Sequence, residues 1–309
     1  MTLRRGDTMR SRFLSVLAAS VVIACSSSES GDAAPDSLAV AQPDSTAPIA
    51  SPSGFTAPEA VRYDPDQDVY FVSNWGTGDG EATDNNGFIS RMTPDGTVAQ
   101  LRFIAGGAGG ATLHSPRGMT IVGDTLWVVD ADAVRAFDRR TGAPRATINF
   151  SAFKLGFLND IAPGPDGLYV TDTGTDHIYR ISAGRATVAL NDTTLGDPNG
   201  ITWDAGNSRF IVVPYGGGST IRAWAPGTKT LTEIGRSGGR KFDGVEVLSG
   251  GRVLVASQGD SSLHLFSDGT GRPIIKTGGN PADIAVDTQR NRVAVPFISR
   301  NLVEIWALP

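Results

Sequence analysis

The sequence predicts an all-β fold, a six-bladed β-propeller of four-stranded blades. The ring is expected to close through an N-terminal strand that completes the last blade. Three observations predict it. A short motif recurs six times along the chain, each copy is followed by the same succession of short apolar runs and tight turns, and no segment after the N-terminal leader carries a helical period.

The six copies are "FTAPEAVRYD", "HSPRGMTIV", "GFLNDIAPG", "LGDPNGITWD", "RKFDGVEVL" and "GNPADIAVD". Aligned on Pro198, their equivalent positions are Pro58, Pro116, Leu158, Pro198, Phe242 and Pro281, with spacings of 58, 42, 40, 44 and 39 residues. A repeat of about 40 residues with strand-like content is the length of one propeller blade. The first interval is longer because it carries two Gly-rich insertions, "GTGDGEATDNNG" and "AGGAGGATLH". In the fourth copy "GITWD" is a first strand, "RFIVVPY" a second, "IRAWA" a third and "TLTEIGR" a fourth, with "AGNS", "GGGST" and "PGTK" as turns. The third copy repeats this with "DIAP", "LYVTD", "HIYRI" and "RATVAL". Runs rich in Val, Ile, Tyr and Trp, bounded by Gly, Pro, Asn and Asp, are strand signals. The sixth copy stops at a third strand, "NLVEIWALP", so the residues around "APIASPS" are expected to supply the fourth.

Composition agrees. The chain has 309 residues, 40% hydrophobic and 7% aromatic, with 38 glycines. Short strands joined by tight turns give that mix. The net charge of -5 and the lack of a basic patch argue against a nucleic-acid surface. "GGAGGA" has neither the preceding strand nor the following helix of a nucleotide-binding loop, and no zinc spacing occurs.

Residues 1–24 are expected to be a targeting segment. Arg4, Arg5, Arg10 and Arg12 precede "FLSVLAASVVIA", an apolar stretch too short for a good bilayer span. It ends in "VIAC", and Cys25 is the only cysteine. This resembles the lipobox of bacterial lipoproteins, which implies lipidation of Cys25 and export to the bacterial cell envelope. The membrane is then met only through that lipid, with the folded domain in the periplasm or outside the cell. An ordinary secretory signal with an incidental cysteine is the alternative. Residues 25–53, rich in Ser, Ala, Pro and Asp, are expected to be a disordered tether, although the last of them are needed to close the ring. Residues 54–309 form the propeller, without a disulfide.

The residue after the aligned position is Glu59, Arg117, Asn159, Asn199, Asp243 and Ala282. In a propeller these positions converge on the axis. Glu59, Asn159, Asn199 and Asp243 offer four oxygen-bearing side chains, a hard donor set suited to a divalent cation. His114, His177 and His264 do not share the register. Asn-Gly and Asp-Gly are also common turn pairs, so any one of these residues alone is explained by a turn.

With these residues in place, the sequence resembles the gluconolactonase/regucalcin (senescence marker protein) family, six-bladed propellers with a divalent cation in the central channel. The family's first-blade Glu, third-blade Asn-Asp, fourth-blade Asn-Gly and fifth-blade Asp-Gly stand here as Glu59, "LND", "PNG" and "FDG". The resemblance implies that Glu59, Asn199 and Asp243 hold the metal, with Asn159 beside it. Ca²⁺ is the first expectation, with Mg²⁺ and Zn²⁺ as alternatives. It implies hydrolysis of a lactone or similar ester, with Asp243 orienting or deprotonating the attacking water. Phe157 stands where sugar-lactonase members often carry an Arg, which puts a sugar lactone in doubt. Arg117, Phe157 and Trp75 are further candidate substrate contacts, the last within a first-blade insertion that is either a lid or a solvated acidic loop. The blades also resemble NHL-type repeats, so a non-catalytic platform for a periplasmic ligand or protein partner is the rival function.

Overall fold

The structure is a computed structural model of the chain and describes residues 46–309. The leader, Cys25 and the tether up to residue 45 lie outside the described residues. The rest is an all-β, propeller-like fold, and its only helical segments are four short 3₁₀ turns.

Strands β1 (Pro58–Asp64), β2 (Val69–Asn74), β3 (Phe88–Met92) and β4 (Val98–Ala105) form one antiparallel sheet. So do β5 (Met119–Val122), β6 (Thr125–Val129), β7 (Ala133–Asp138) and β8 (Pro144–Asn149). A third four-stranded sheet contains β9 (Leu158–Gly164), β10 (Gly167–Asp172), β11 (His177–Ser182) and β12 (Arg185–Asn191). Two further meanders follow. The first is β13 (Pro198–Asp204), β14 (Arg209–Pro214), β15 (Thr220–Trp224) and β16 (Leu231–Arg236). The second is β17 (Phe242–Val247), β18 (Val253–Ser257), β19 (Ser262–Ser267) and β20 (Thr270–Lys276). The last sheet has three strands, β21 (Ala285–Asp287), β22 (Arg292–Phe297) and β23 (Leu302–Ala307).

Six separate four-stranded sheets are therefore not what is observed. The meanders β13–β16 and β17–β20 share one eight-stranded sheet, joined by a single parallel pairing of Arg236 with Thr270. Here the outermost strands come close enough for Arg236 N–H to donate to Gly269 O at 3.1 Å. The three-stranded sheet is extended at β23 by two isolated bridges, Ala50 with Ile305 and Ser53 with Leu302. Ile305 N–H donates to Ala50 O at 2.8 Å and Val303 N–H to Pro52 O at 3.0 Å. Ile49 N–H donates back to Ile305 O at 2.6 Å, and Pro48 and Pro52, which lack an N–H, keep the pairing short of a continuous ladder. The ordered body thus begins before residue 54.

The first strands touch in a closed circuit: β1 with β5, β5 with β9, β9 with β13, β13 with β17, β17 with β21, and β21 with β1. Inner strands are buried and outer strands such as β8 and β12 are mostly exposed, so the core lies between neighbouring sheets. Trp224, Tyr169 and Phe210 interleave in one such layer.

Close approach at the axis explains the small residues of the motif. A Cβ on Gly118 would stand 2.3 Å from Asp160 Oδ1 and 2.6 Å from Asp160 Cα. Asp160 cannot retreat, because its oxygens accept the N–H of Ile161 at 2.7 Å and of Ile201 at 2.8 Å, stitching β9 to β13. Gly118→Ala is expected to cost about 1–3 kcal/mol through overpacking, seen as a lower midpoint in denaturant unfolding; an unchanged midpoint would contradict this packing.

Candidate active site

Each recurrent site residue sits in a break of strand register. The pairing of β1 with β2 skips between Pro58 and Val61, that of β13 with β14 between Pro198 and Ile201, and that of β17 with β18 between Phe242 and Val245. β9 shows the same irregularity opposite Val170 and Asp172, at the level of Asn159 and Asp160. A bulge leaves its residues unpaired and re-aims a side chain. In β1 and β9 a freed N–H is satisfied by a hydroxyl of the second strand. Ala60 N–H donates to Ser73 Oγ at 2.9 Å, and Asp160 N–H donates to Thr171 Oγ1 at 3.0 Å. Thr171 in turn donates to Asn199 O at 2.6 Å, linking two site residues.

The result is one cavity of about 280 Å³. Glu59, Asn159, Asn199 and Asp243, each at most 5% exposed, are its polar floor. Trp75, Phe157, Thr173, Tyr215, Gln258 and Ile298 complete its lining. So four residues separated by 40 to 184 positions in sequence do meet, as do Trp75 and Phe157.

Arg117 does not line the cavity. It is 1% exposed, and its guanidinium lies 3.6 Å from the centre of the Phe157 ring. It donates to Leu158 O at 2.5 Å and to Gly80 O. Gly80 belongs to the first-blade insertion, whose Asp79 and Ala82 carbonyls also accept from Ser115 Oγ at 3.1 Å. The insertion is therefore fastened beside the cavity at these points, and the Trp75 indole packs on Gly80, where a Cβ would come within 2.8 Å.

Four lining residues were not singled out from the sequence: Thr173, Tyr215, Gln258 and Ile298. Each stands one position after the end of a second strand, as Trp75 does after β2. That shared register is the signal that would have found them. Gln258 Nε2 donates to Asp243 Oδ2 at 2.6 Å, and Tyr215 O–H donates to Gln258 Oε1 at 3.2 Å. Asn159 Nδ2 donates to Thr173 Oγ1 at 2.9 Å.

The floor is electrostatically uneasy. Glu59 Oε2 and Asp243 Oδ1 are buried without a hydrogen-bond partner. Burial, then the nearby Asp243 charge, pushes the Glu59 carboxyl well above its ordinary range, against the pull of Arg117. Burial raises Asp243 to about 7, although the hydrogen bond from Gln258 opposes the rise. Burial lowers Arg117 to about 10, so it stays cationic at neutral pH. Unpaired buried carboxylate oxygens beside carboxamides fit a hard divalent cation, which would replace the missing hydrogen bonds and charge.

A carboxyl whose pKa rises on folding keeps its proton to higher pH in the folded chain than in the unfolded one. In chelator, stability is therefore expected to fall as pH rises from about 4 towards about 7, by up to about 4 kcal/mol for Asp243. Asp243→Asn should flatten much of that slope in denaturant melts. A slope unchanged by the substitution would contradict the burial of an unpartnered charge.

A second acidic group, His114, Asp130 and Asp132, brings three potential ligand atoms within 4.8 Å of one another. Its side chains are already partnered from within. Arg135 pairs with Asp130 and Asp132 at 2.6 Å each, Asp130 accepts the N–H of His114, Ser115 and Ala131, and His114 Nδ1 accepts Asn85 N–H.

Solved structures share this fold. A gluconolactonase from Xanthomonas campestris is 18% identical, over 85% of this chain and 89% of that one, with a TM-score of 0.64. A protein described as a putative gluconolactonase is 17% identical, over 84% and 91%, with a TM-score of 0.63. Virginiamycin B lyase from Staphylococcus aureus is 14% identical, over 84% and 99%, with a TM-score of 0.60. No family model matches the chain, and no curated protein matches it. At these identities the likeness carries the all-β propeller fold and not an activity.

Proposed function

We propose that the cavity is the active site of a metal-dependent hydrolase of gluconolactonase-like type, acting on a lactone or ester. We further take the fold as six blades, counting the eight-stranded sheet as two and residues 49–53 as the closing edge of the last. The observation that carries the functional reading is the pair of buried, unpartnered carboxylate oxygens of Glu59 and Asp243, sharing one cavity with Asn159 and Asn199. Among the lining residues there is no histidine, cysteine or serine, and the Thr173 and Tyr215 hydroxyls donate to Pro198 O and Gln258 Oε1, which leaves the carboxylates as the chemistry-bearing groups.

Glu59, Asn199 and Asp243 would hold the cation, with Asn159 beside it. When bound, Ca²⁺ or another divalent ion supplies Lewis-acid polarisation of the acyl carbonyl. The chain does the rest. Asp243 orients the attacking water and accepts its proton as the water oxygen bonds to the acyl carbon. The acyl C–O bond then breaks, and the proton passes from Asp243 to the departing alkoxide. Gln258, itself held by Tyr215, donates to Asp243 Oδ2 and so fixes the orientation of the carboxylate in the cavity. Trp75, Phe157 and Ile298 keep bulk water from the floor.

The test is reconstitution of chelated protein with Ca²⁺, Mg²⁺, Zn²⁺ or Mn²⁺ and assay against lactones and esters. Cation-dependent turnover, lost in Glu59→Ala with the fold intact, is expected. Cation binding without any turnover would leave the cavity as a ligand platform. The export of the chain as a lipoprotein through Cys25 is part of the same proposal, and radiolabelled fatty-acid incorporation that persists in Cys25→Ala would contradict it.

A further inference from the structure

The cavity divides sharply into a polar floor and an apolar rim. Glu59, Asn159, Asn199 and Asp243 are buried below, while Trp75, Phe157, Tyr215 and Ile298 are half-buried above. Of the polar groups at the rim, the Trp75 indole N–H is buried without a partner and the others are already committed. The Tyr215 hydroxyl is spent on Gln258, the Gln258 amide on Asp243, and the Thr173 hydroxyl donates to Pro198 O at 2.8 Å while accepting from Asn159. Glu59 Oε2 and Asp243 Oδ1 are the oxygens already assigned to a cation. Little is left to pair with hydroxyls spread around a substrate ring.

Among the described residues, no lysine, arginine or histidine lines the cavity. Arg117 is the nearest candidate by sequence, and it faces the back of Phe157 rather than the cavity. Lys241 lies 5.8 Å from the centre of the Tyr215 ring and is not part of the lining. The aromatic wall is also fixed in place. Phe157 N–H donates to Asp172 Oδ1 at 2.7 Å, and Arg117 grips both Leu158 O and Gly80 O, the residues behind Phe157 and Trp75. At about 280 Å³, the space falls just below the usual range of small-molecule sites, about 300–1,000 Å³.

From this division we propose that the substrate is an uncharged, largely hydrocarbon lactone or ester, an alkyl- or aryl-substituted ring rather than a polyhydroxylated sugar lactone. The proposal rests on the hydrolytic reading above and names its substrate class. The reacting carbonyl goes to the floor and the hydrocarbon substituent packs between Trp75, Phe157 and Ile298. A sugar lactone would bring several hydroxyls out of water against aromatic faces without partners for them.

The experiment compares δ-decalactone and dihydrocoumarin with D-glucono-δ-lactone, using the cation-loaded protein. Binding of a non-hydrolysable δ-lactam bearing the same alkyl chain is measured in parallel by calorimetry. kcat/KM is expected to be about a hundredfold higher for the hydrocarbon lactones. Phe157→Ala is expected to lower the decalactone-to-butyrolactone selectivity about tenfold, mainly through KM. Equal or better turnover of gluconolactone would overturn the proposal. Lactam binding with no turnover of any lactone would keep the ligand class and remove the hydrolytic reading. Neither turnover nor lactam binding would overturn the class itself.

Discussion

Asp243→Ala is expected to lower kcat/KM for lactone hydrolysis by about 10²–10⁴-fold while leaving the fold intact. The substitution removes two things at once, a proton acceptor and a negatively charged oxygen offered to the cation. Asp243 is 3% exposed and its free Oδ1 shares a cavity with the other donors. The fold should survive because in chelated protein the ionised side chain is itself a liability. Burial holds its pKa near 7, so its charge opposes folding at neutral pH. The two effects have opposite signs: activity is lost and cation-free stability rises. Gln258→Leu should fall between wild type and Asp243→Ala, since it frees the Asp243 carboxylate without deleting it. Activity within threefold of wild type in Asp243→Ala would remove this residue from the chemistry.

The second large effect is on stability. Arg117→Ala is expected to destabilise the protein by about 3–5 kcal/mol, in the range for removal of one partner from a buried charged network. The side chain is 1% exposed and its loss strands two carbonyls, Leu158 O and Gly80 O. It also removes the flat cation stacked on Phe157 and the positive charge that moderates Glu59. Arg117→Lys should recover little, because an ammonium cannot bridge two carbonyls while lying flat against a ring. Denaturant midpoints measure both variants. A midpoint shift below about 1 kcal/mol for Arg117→Ala would show that the guanidinium is not the anchor of the rim.

Much of the fold was legible because a propeller writes its symmetry into the chain. The strands of the third and fourth copies fall where their apolar runs predict, and Glu59, Asn159, Asn199 and Asp243 share a register that geometry converts into one cavity floor. The details that escaped depend on side-chain direction. Arg117 holds the same register as Asn159 and Asn199, yet it turns behind Phe157 because two carbonyls and an aromatic face are available there. Nothing in a linear pattern distinguishes an arginine that faces substrate from one that braces the wall. Tyr215 and Gln258 were missed for a different reason. Their register is the end of the second strand, and its residues are too varied in type to stand out as a motif. The joining of two meanders through Arg236 and Thr270 depends on how closely outer strands approach, which local sequence does not encode.

The proposed site requires one ion bridging oxygens from different parts of the ring. Anomalous diffraction from crystals of the protein soaked in Mn²⁺ or Ca²⁺ tests this directly. The account predicts a single strong peak in the cavity, within bonding distance of Glu59, Asn199 and Asp243, and absent in the Glu59→Gln, Asp243→Asn double variant. A cavity without a peak at saturating cation, or a peak only beside His114, Asp130 and Asp132, would contradict it.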